Sequence, residues 1–374
     1  MFLDKLGLKH FRNYKEININ FSNLTNIFVG NNAEGKTNLL EAIYLLSVGR
    51  SYRDYSDRNL IQWGSRETKI SAQIKKRSGN LSLKIIIDRN GKKVFVNNLI
   101  QNKLSNYIGN LNVVLFSPED LELIKGPPAI RRKFINTQFG QMSRNYLIDL
   151  LRYRKILKNR NLFLKKINFS RKLSYLNKTY LEILDGQLCR SGSRLIFQRF
   201  KLIKQLRKYS QRAHKIISKK ENLDIKYRTF KNIGQNSSLQ EIYSVFLKKL
   251  KEKQQKELIL KTTTIGPHHD DLNFFINGKG VGSFASQGQQ RTTALSLKLA
   301  EINMIKLKSG EYPILLLDDV FSELDKNRQL HLLNFIKNKV QAFLTTPHLS
   351  SLEEKIIKNP KIYGIENGKL SYEK

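Results

Sequence analysis

One short segment constrains this chain more than any other: Gly30-Asn31-Asn32-Ala33-Glu34-Gly35-Lys36-Thr37 lies between an apolar run, Leu24 to Val29, and a helix-like segment, Leu39 to Val48. A glycine-rich turn between strand and helix aims backbone N–H groups, and the positive end of the helix dipole, at one point. The pattern Gly-x4-Gly-Lys-Thr predicts a phosphate loop and an α/β sheet to carry it. Lys36 is expected to reach the terminal phosphates of a nucleoside triphosphate such as ATP, and the Thr37 hydroxyl to complete the shell of Mg²⁺. A solvated glycine turn is the plainer alternative.

A second element fits the first. Ile314-Leu315-Leu316-Leu317 is an apolar strand ending in Asp318-Asp319, and the carboxyl end of a parallel strand is where an α/β sheet gathers its chemistry. Asp318 is expected as a metal ligand opposite Thr37, and Asp319 as the group that orients or deprotonates an attacking water. Adjacent acids also cap helices, and that reading stays open. A third element, Ser286-Gln287-Gly288-Gln289, precedes a helix-like run from Thr292 to Lys308 and offers a second anion site at a helix start. A single chain rarely builds two such sites for one nucleotide. The economical arrangement is a two-fold dimer in which this segment completes the neighbour's site, although a plain N-cap explains it equally well in isolation.

The strand bearing Asp318 is expected to join the sheet of the phosphate loop, making the nucleotide lobe discontinuous: residues 1–125 with 261–374, and a helical basic lobe at 126–260. Gly126-Pro127-Pro128 marks the first junction. Leu147, Leu150, Leu151 and Leu157 share one helical face and Leu239, Ile242, Phe246 and Leu250 another, with Ser238-x-x-Glu241 as a capping box. In the first lobe, Leu81 to Ile87 and Val94 to Val96 predict a hairpin turning at Asn90-Gly91. The fold class is therefore α/β, a mixed sheet with a phosphate loop beside antiparallel strands.

Net charge is +36, enough to attract nucleic acid or anionic lipid headgroups. It concentrates in the middle: Leu151 to Lys220 holds 21 Lys/Arg against Glu182 and Asp185. Compositional bias toward lysine is the competing explanation. One cysteine, Cys189, excludes an internal disulfide framework, and neither a secretory leader nor a membrane-length apolar run is evident. A cytoplasmic location without membrane partners is expected.

The order phosphate loop, SQGQ segment, LLLDD strand and Ser322-Glu323-Leu324-Asp325 resembles the ATP-binding-cassette heads of the SMC group. Within that group the chain is most similar to the RecF family of bacterial recombination and repair proteins. The likeness extends through His10 to Tyr14, Gly49-Arg50-Ser51-Tyr52-Arg53, Phe116 to Leu121, Gly126-Pro127-Pro128 with Arg131-Arg132, and Gly266-Pro267-His268 with Asp270-Asp271-Leu272. It implies a slow ATPase that dimerises on ATP and binds DNA in repair of stalled replication and the SOS response. Partner mediator proteins would help it load recombinase at gapped DNA. It also implies that Ser286 and Gly288 contact the neighbour's γ-phosphate and that Asp325 lies in the dimer-contact loop. Two positions depart from the family pattern: His269 stands where arginine follows His268, and Pro347-His348 follows Thr345-Thr346. A transporter ATPase and an SMC-type chromosome-organising head share the head motifs. The basic insert argues against the first, and the short, broken helical patterns against the second.

Overall fold

The computed structural model describes residues 1–54, 56–167, 174–336, 339–348 and 359–374. β1 (Phe2–Phe11) and β2 (Tyr14–Asn20) form a hairpin, and β3 (Thr25–Val29) leads through the phosphate loop into the helix Lys36–Val48. β4 (Glu67–Lys76), β5 (Gly79–Asp88), β6 (Gly91–Val96) and β7 (Leu99–Ile100) join the hairpin in an antiparallel sheet of order β2-β1-β4-β5-β6-β7. Strict alternation of exposed and buried residues along β4 shows that this sheet has one wet face. The expected hairpin is β5–β6: Arg89 and Asn90 form its turn, and Gly91, at φ 129°, opens β6 opposite Asp88.

β8 (Val113–Phe116) then leads to the helices Pro128–Met142, Arg144–Lys166 and Tyr175–Ile217. Pro128 takes the first helical position, where its missing N–H costs nothing. β9 (Leu223–Arg228) follows, inside the stretch that periodicity assigns to helix, and then the helix Leu239–Leu260. Its capping box is formed in both directions: Ser238 Oγ accepts from Glu241 N at 3.1 Å, and Ser238 N donates to the Glu241 carboxylate at 2.8 Å. β9 pairs antiparallel with β10 (Asp271–Ile276), which pairs with β11 (Lys279–Gly280). This small sheet thus crosses the boundary expected at 260.

The helix Gln287–Ser309 precedes β12 (Ile314–Asp318), and the helix Lys326–Ile336 precedes β13 (Ala342–Thr346), followed by β14 (Lys361–Glu366) and β15 (Lys369–Glu373). The second large sheet has the order β15-β14-β3-β13-β12-β8 and is parallel except at β15. β12 therefore joins the phosphate-loop sheet with β13 between them. Every residue of β12 and β13 is buried, as befits strands covered on both faces. On one side lies a core shared by the helix Lys36–Val48 and the antiparallel sheet, and on the other the helices Gln287–Ser309 and Lys326–Ile336. Phe21, Phe28, Phe343 and Tyr363 interlock where β3, β13 and β14 meet the first core.

Candidate nucleotide site

The phosphate loop is held by both ends of the chain. A Cβ at Gly30 would lie 2.2 Å from Ile365 O on β14, and Gly35, at φ 117°, would place one 2.7 Å from Asn13 Nδ2. Both positions therefore require glycine. Beneath the loop, Tyr14 Oη donates to Gly35 O at 3.0 Å and Asn13 Nδ2 to Glu34 O at 2.9 Å. From the other side, Gly368 N donates to Glu34 O at 3.0 Å and Asn367 N to the Glu34 carboxylate. Asn31, Asn32 and Ala33 remain exposed at the tip. Lys36 is 8% exposed, and its ammonium donates to Gly30 O at 2.5 Å and Asn31 O at 2.7 Å. Burial lowers its pKa, opposed by the charges of Asp319, Asp318 and Glu34.

The helix that follows rests on a buried carboxylate. Glu41 is fully buried and takes a two-pronged guanidinium bond from Arg12, Nη2 to Oε1 at 2.8 Å and Nε to Oε2 at 3.0 Å, with Ser51 Oγ also donating to it.

β12 and β13 end beside the loop. Asp318 Oδ1 accepts from Thr37 Oγ1 at 2.9 Å and from Thr345 Oγ1 at 3.0 Å, and its Oδ2 accepts from Tyr52 Oη at 2.9 Å. Asp319 turns into the left-handed region at φ 51°, with its N–H on Thr345 Oγ1 at 2.9 Å; Asp tolerates that conformation through its short polar side chain. Thr37 and Asp318, 281 residues apart in sequence, are thus brought into contact. Tyr52 and Thr345 were given no role by sequence reasoning. Burial and the neighbouring Asp318 charge hold the Tyr52 phenol far above its ordinary pKa, so it stays a donor. Its only sequence signal was its place in the Gly49-to-Arg53 run. His348 is exposed on the loop leaving β13, where its carbonyl accepts from Thr346 Oγ1 at 2.9 Å.

Ser286 and Gln287 are exposed at the start of the helix Gln287–Ser309, and Gly288 and Gln289 are half-buried. A reciprocal capping box joins Ser286 and Gln289, and Gln289 Nε2 donates to Glu221 Oε1 at 2.9 Å. No hydrogen bond joins these four residues to the phosphate loop among the described residues. Arg328 ties them instead to the Asp325 loop: its Nη2 donates to Gly288 O and its Nε to Thr292 Oγ1, each at 2.9 Å, while its Nη1 meets the exposed Asp325 carboxylate. The side chains of Ser322 and Glu323 lie outside the described part. Deeper on the same helix, Lys298 Nζ pairs with Asp120 Oδ1 at 2.9 Å. Among the described residues Glu301, 1% exposed, has neither carboxylate oxygen hydrogen-bonded, and Lys298 is 4.0 Å away. Burial pushes its pKa up to about 8.

The segment Gly266 to Leu272 is an internal clasp. Arg199, 1% exposed, donates to Asp270 Oδ2 at 2.8 Å, Pro267 O at 2.7 Å and Tyr146 Oη at 3.0 Å. Arg131 forks onto Asp271 at 2.7 and 3.1 Å. His268 bonds Tyr153 Oη at 2.5 Å, and burial together with the charge of His269 lowers its pKa to about 4. His269 is exposed, its Nε2 3.2 Å from Thr263 O. Two buried acids paired to two arginines fix the helical lobe to the small sheet.

Residues 2–370 match the family model described as the RecF/RecN/SMC N terminal domain. The DNA replication and repair protein RecF of Oenococcus oeni is 57% identical over 370 residues, 99% of each chain. That of Ligilactobacillus salivarius is 48% identical, over 100% of this chain and 98% of the relative. A solved structure of the recombination mediator protein RecF with ATP, described in the RecFOR pathway, superposes with a TM-score of 0.91 at 32% identity, over 99% of this chain and 97% of the other. An SMC head from Pyrococcus furiosus, at 16% identity and TM-score 0.54, shares the fold, covering 99% of this chain and 95% of that one. Loop, strand ends and capped helix stand in the order that the sequence predicted, and the chain belongs to the RecF family of DNA replication and repair proteins.

Proposed function

We propose that the chain is an ATP-switched DNA-binding protein of replication-coupled recombinational repair. The observation that carries this reading is the contact between Thr37 and Asp318 beside a lysine-bearing phosphate loop. A hydroxyl and a carboxylate are hard oxygen donors, and they suit Mg²⁺ bound through few protein ligands and the nucleotide's own phosphates. Bound there, Mg²⁺ would neutralise charge developing on the phosphate oxygens during ATP hydrolysis.

Lys36 holds the phosphates and exchanges its bonds to Gly30 O and Asn31 O for phosphate oxygens. Gly30 to Thr37 supply the enclosing N–H groups. Thr345 and Tyr52 fix the Asp318 carboxylate, and Asp319 orients the attacking water and takes its proton. Ser286 to Gln289 and the Asp325 loop face a second copy, whose nucleotide they complete. The exposure of Ser286, Gln287 and Asp325 supports this, as does the absence of any hydrogen bond from Ser286 to Gln289 to their own phosphate loop among the described residues. ATP then favours the dimer by mass action, and hydrolysis releases it. Turnover is slow, and DNA is held through its phosphates without base preference.

Gapped DNA, mediator proteins, recombinase loading and the SOS response belong to the same reading, as does a cytoplasmic location. No helix among the described residues is long and apolar enough to cross a membrane. Residues 1–125 and 261–374 form the nucleotide lobe around the insert 126–260, and the β9–β10 pairing argues for assigning the small sheet to the insert.

Sedimentation with Mg-ATP and a gapped duplex tests the proposal. Wild type is expected to sediment as a dimer on DNA, Lys36→Ala as a monomer, and Asp319→Asn as a dimer that persists. A monomeric Asp319→Asn variant at saturating ATP would refute the sandwich.

A further inference from the structure

A cleft of about 270 Å³ opens where the far end of the phosphate-loop helix meets the helical lobe. Its floor is apolar, with Leu104, Leu147, Leu151 and Leu157. Around it stand Arg50, Arg132, Lys133 and Arg154, and no carboxylate lines it. The contrast with the arginines nearby is sharp. Arg131, Arg160 and Arg199 are buried and each have a carboxylate within 2.8 Å, whereas Arg50 and Arg154 are exposed to solvent at the cleft, with no carboxylate at ion-pair distance among the described residues. Arg132 spends one N–H on a backbone carbonyl, Asp270 O, at 3.0 Å. Arg50 and Arg154 both line the cleft, and partial desolvation together with the charge of Arg50 lowers the pKa of Arg154. Exposed like charges are screened by water and cost folding little, so it is the convergence of basic side chains on an apolar floor with no lining carboxylate that suits the cleft to an anion from outside.

An inorganic anion would make no use of the leucine floor. The polar groups at the wall suit a flat heterocycle with donors and acceptors on its edge. Asn136 has its Oδ1 taken by Tyr146 and Arg199, which leaves its amide N–H groups to donate, and Thr137 adds a hydroxyl. We infer that this cleft binds a nucleoside phosphate, with the phosphate between Arg50 and Arg154 and the base on the leucine floor. The ligand is either a free nucleotide or an unpaired nucleotide of a DNA strand. In the second case the inference deepens the DNA-binding reading and rests on it; in the first it is independent of it. The cleft is separate from the triphosphate loop, which lies at the opposite end of the helix Lys36–Val48, some 20 Å away at about 1.5 Å per residue.

The test titrates the full chain with a fluorescent oligothymidylate, by anisotropy, and with free dTMP, by calorimetry. Arg50→Ala/Arg154→Ala is compared with Lys248→Ala/Lys253→Ala, which removes the same charge from an exposed face elsewhere. Losing two charge-assisted contacts should weaken cleft-dependent binding about tenfold or more. It should also flatten the salt slope for the oligonucleotide by about 1.4, with the control within about twofold of wild type. Arg154→Gln alone gives the same readout should the double variant fail to show a wild-type melting transition. Cleft-dependent binding of the oligonucleotide alone supports the strand nucleotide, and cleft-dependent binding of dTMP supports the free one. If the oligonucleotide binds but the cleft variant behaves as the control does, the inference falls and the DNA reading stands. If wild type binds neither probe, the inference falls, and the DNA reading is decided separately by sedimentation on the gapped duplex.

Discussion

Replacing Arg12 with methionine isolates what the β1–β2 hairpin does for the phosphate loop. Glu41 has no exposure, and Arg12 supplies two of its hydrogen bonds; without them it keeps Ser51 and a distant Arg53, whose Nη1 is 3.8 Å away. Breaking a buried pair by removing one partner costs about 3–5 kcal/mol, because the remaining charge is stranded. The converse change, Glu41→Gln, should cost less. Arg12 is 20% exposed and retains Asn59 O at 2.9 Å and Asp54 at 3.7 Å, so about 1–3 kcal/mol is expected. The double variant Arg12→Met/Glu41→Gln removes the stranded charge and should be about as stable as Arg12→Met alone, because a coupling energy of about 2 kcal/mol offsets the cost of Glu41→Gln. Urea unfolding at fixed salt, with the nucleotide-lobe transition followed separately, measures all three. Additive costs, or an Arg12→Met penalty below about 1 kcal/mol, would refute the claim that Glu41 depends on this fork.

Two further outcomes are expected. Tyr52→Phe removes the donor to Asp318 Oδ2, worth about 1.5–3 kcal/mol as a bond to a charged group. The Mg²⁺ concentration for half-maximal ATP turnover should rise about tenfold while metal-free ATP affinity holds, and an unchanged Mg²⁺ dependence would remove Tyr52 from the site. Glu301 has a folded pKa raised from 4.5 to about 8. Its contribution to stability is therefore complete below pH 4.5 and is lost as pH rises to and through about 8. Relative to Glu301→Gln, wild type should lose up to about 1.4 kcal/mol per pH unit across that window; parallel stability curves would place Glu301 in a satisfied environment.

The readable parts of this fold were local. The phosphate loop, the hairpin at Asn90-Gly91 and the Ser238 capping box each need only a few neighbouring residues, and each forms where the sequence predicted. β9 was not readable, because what makes Leu223 to Arg228 a strand is pairing with Asp271 to Ile276, far along the chain. The same distance hid Tyr52 and Thr345, whose partner Asp318 lies 266 and 27 residues away. The Asp270-Asp271 pair was visible as a motif, but its meaning was not. Acidic neighbours in a basic chain suggest a surface, and only packing shows that they neutralise Arg199 and Arg131 inside.

The packing of β14 against Gly30, and of the turn at Asn367-Gly368 against Glu34, bears on how the chain is made. Those contacts come from far along the chain, Asn367 lying 333 residues beyond Glu34, so a nascent chain on the ribosome carries an unfinished phosphate cradle until β14 and that turn emerge. Completion of the cradle is thereby tied to synthesis of these distant strands, and chains truncated before β14 should be blind to nucleotide even where the rest has folded.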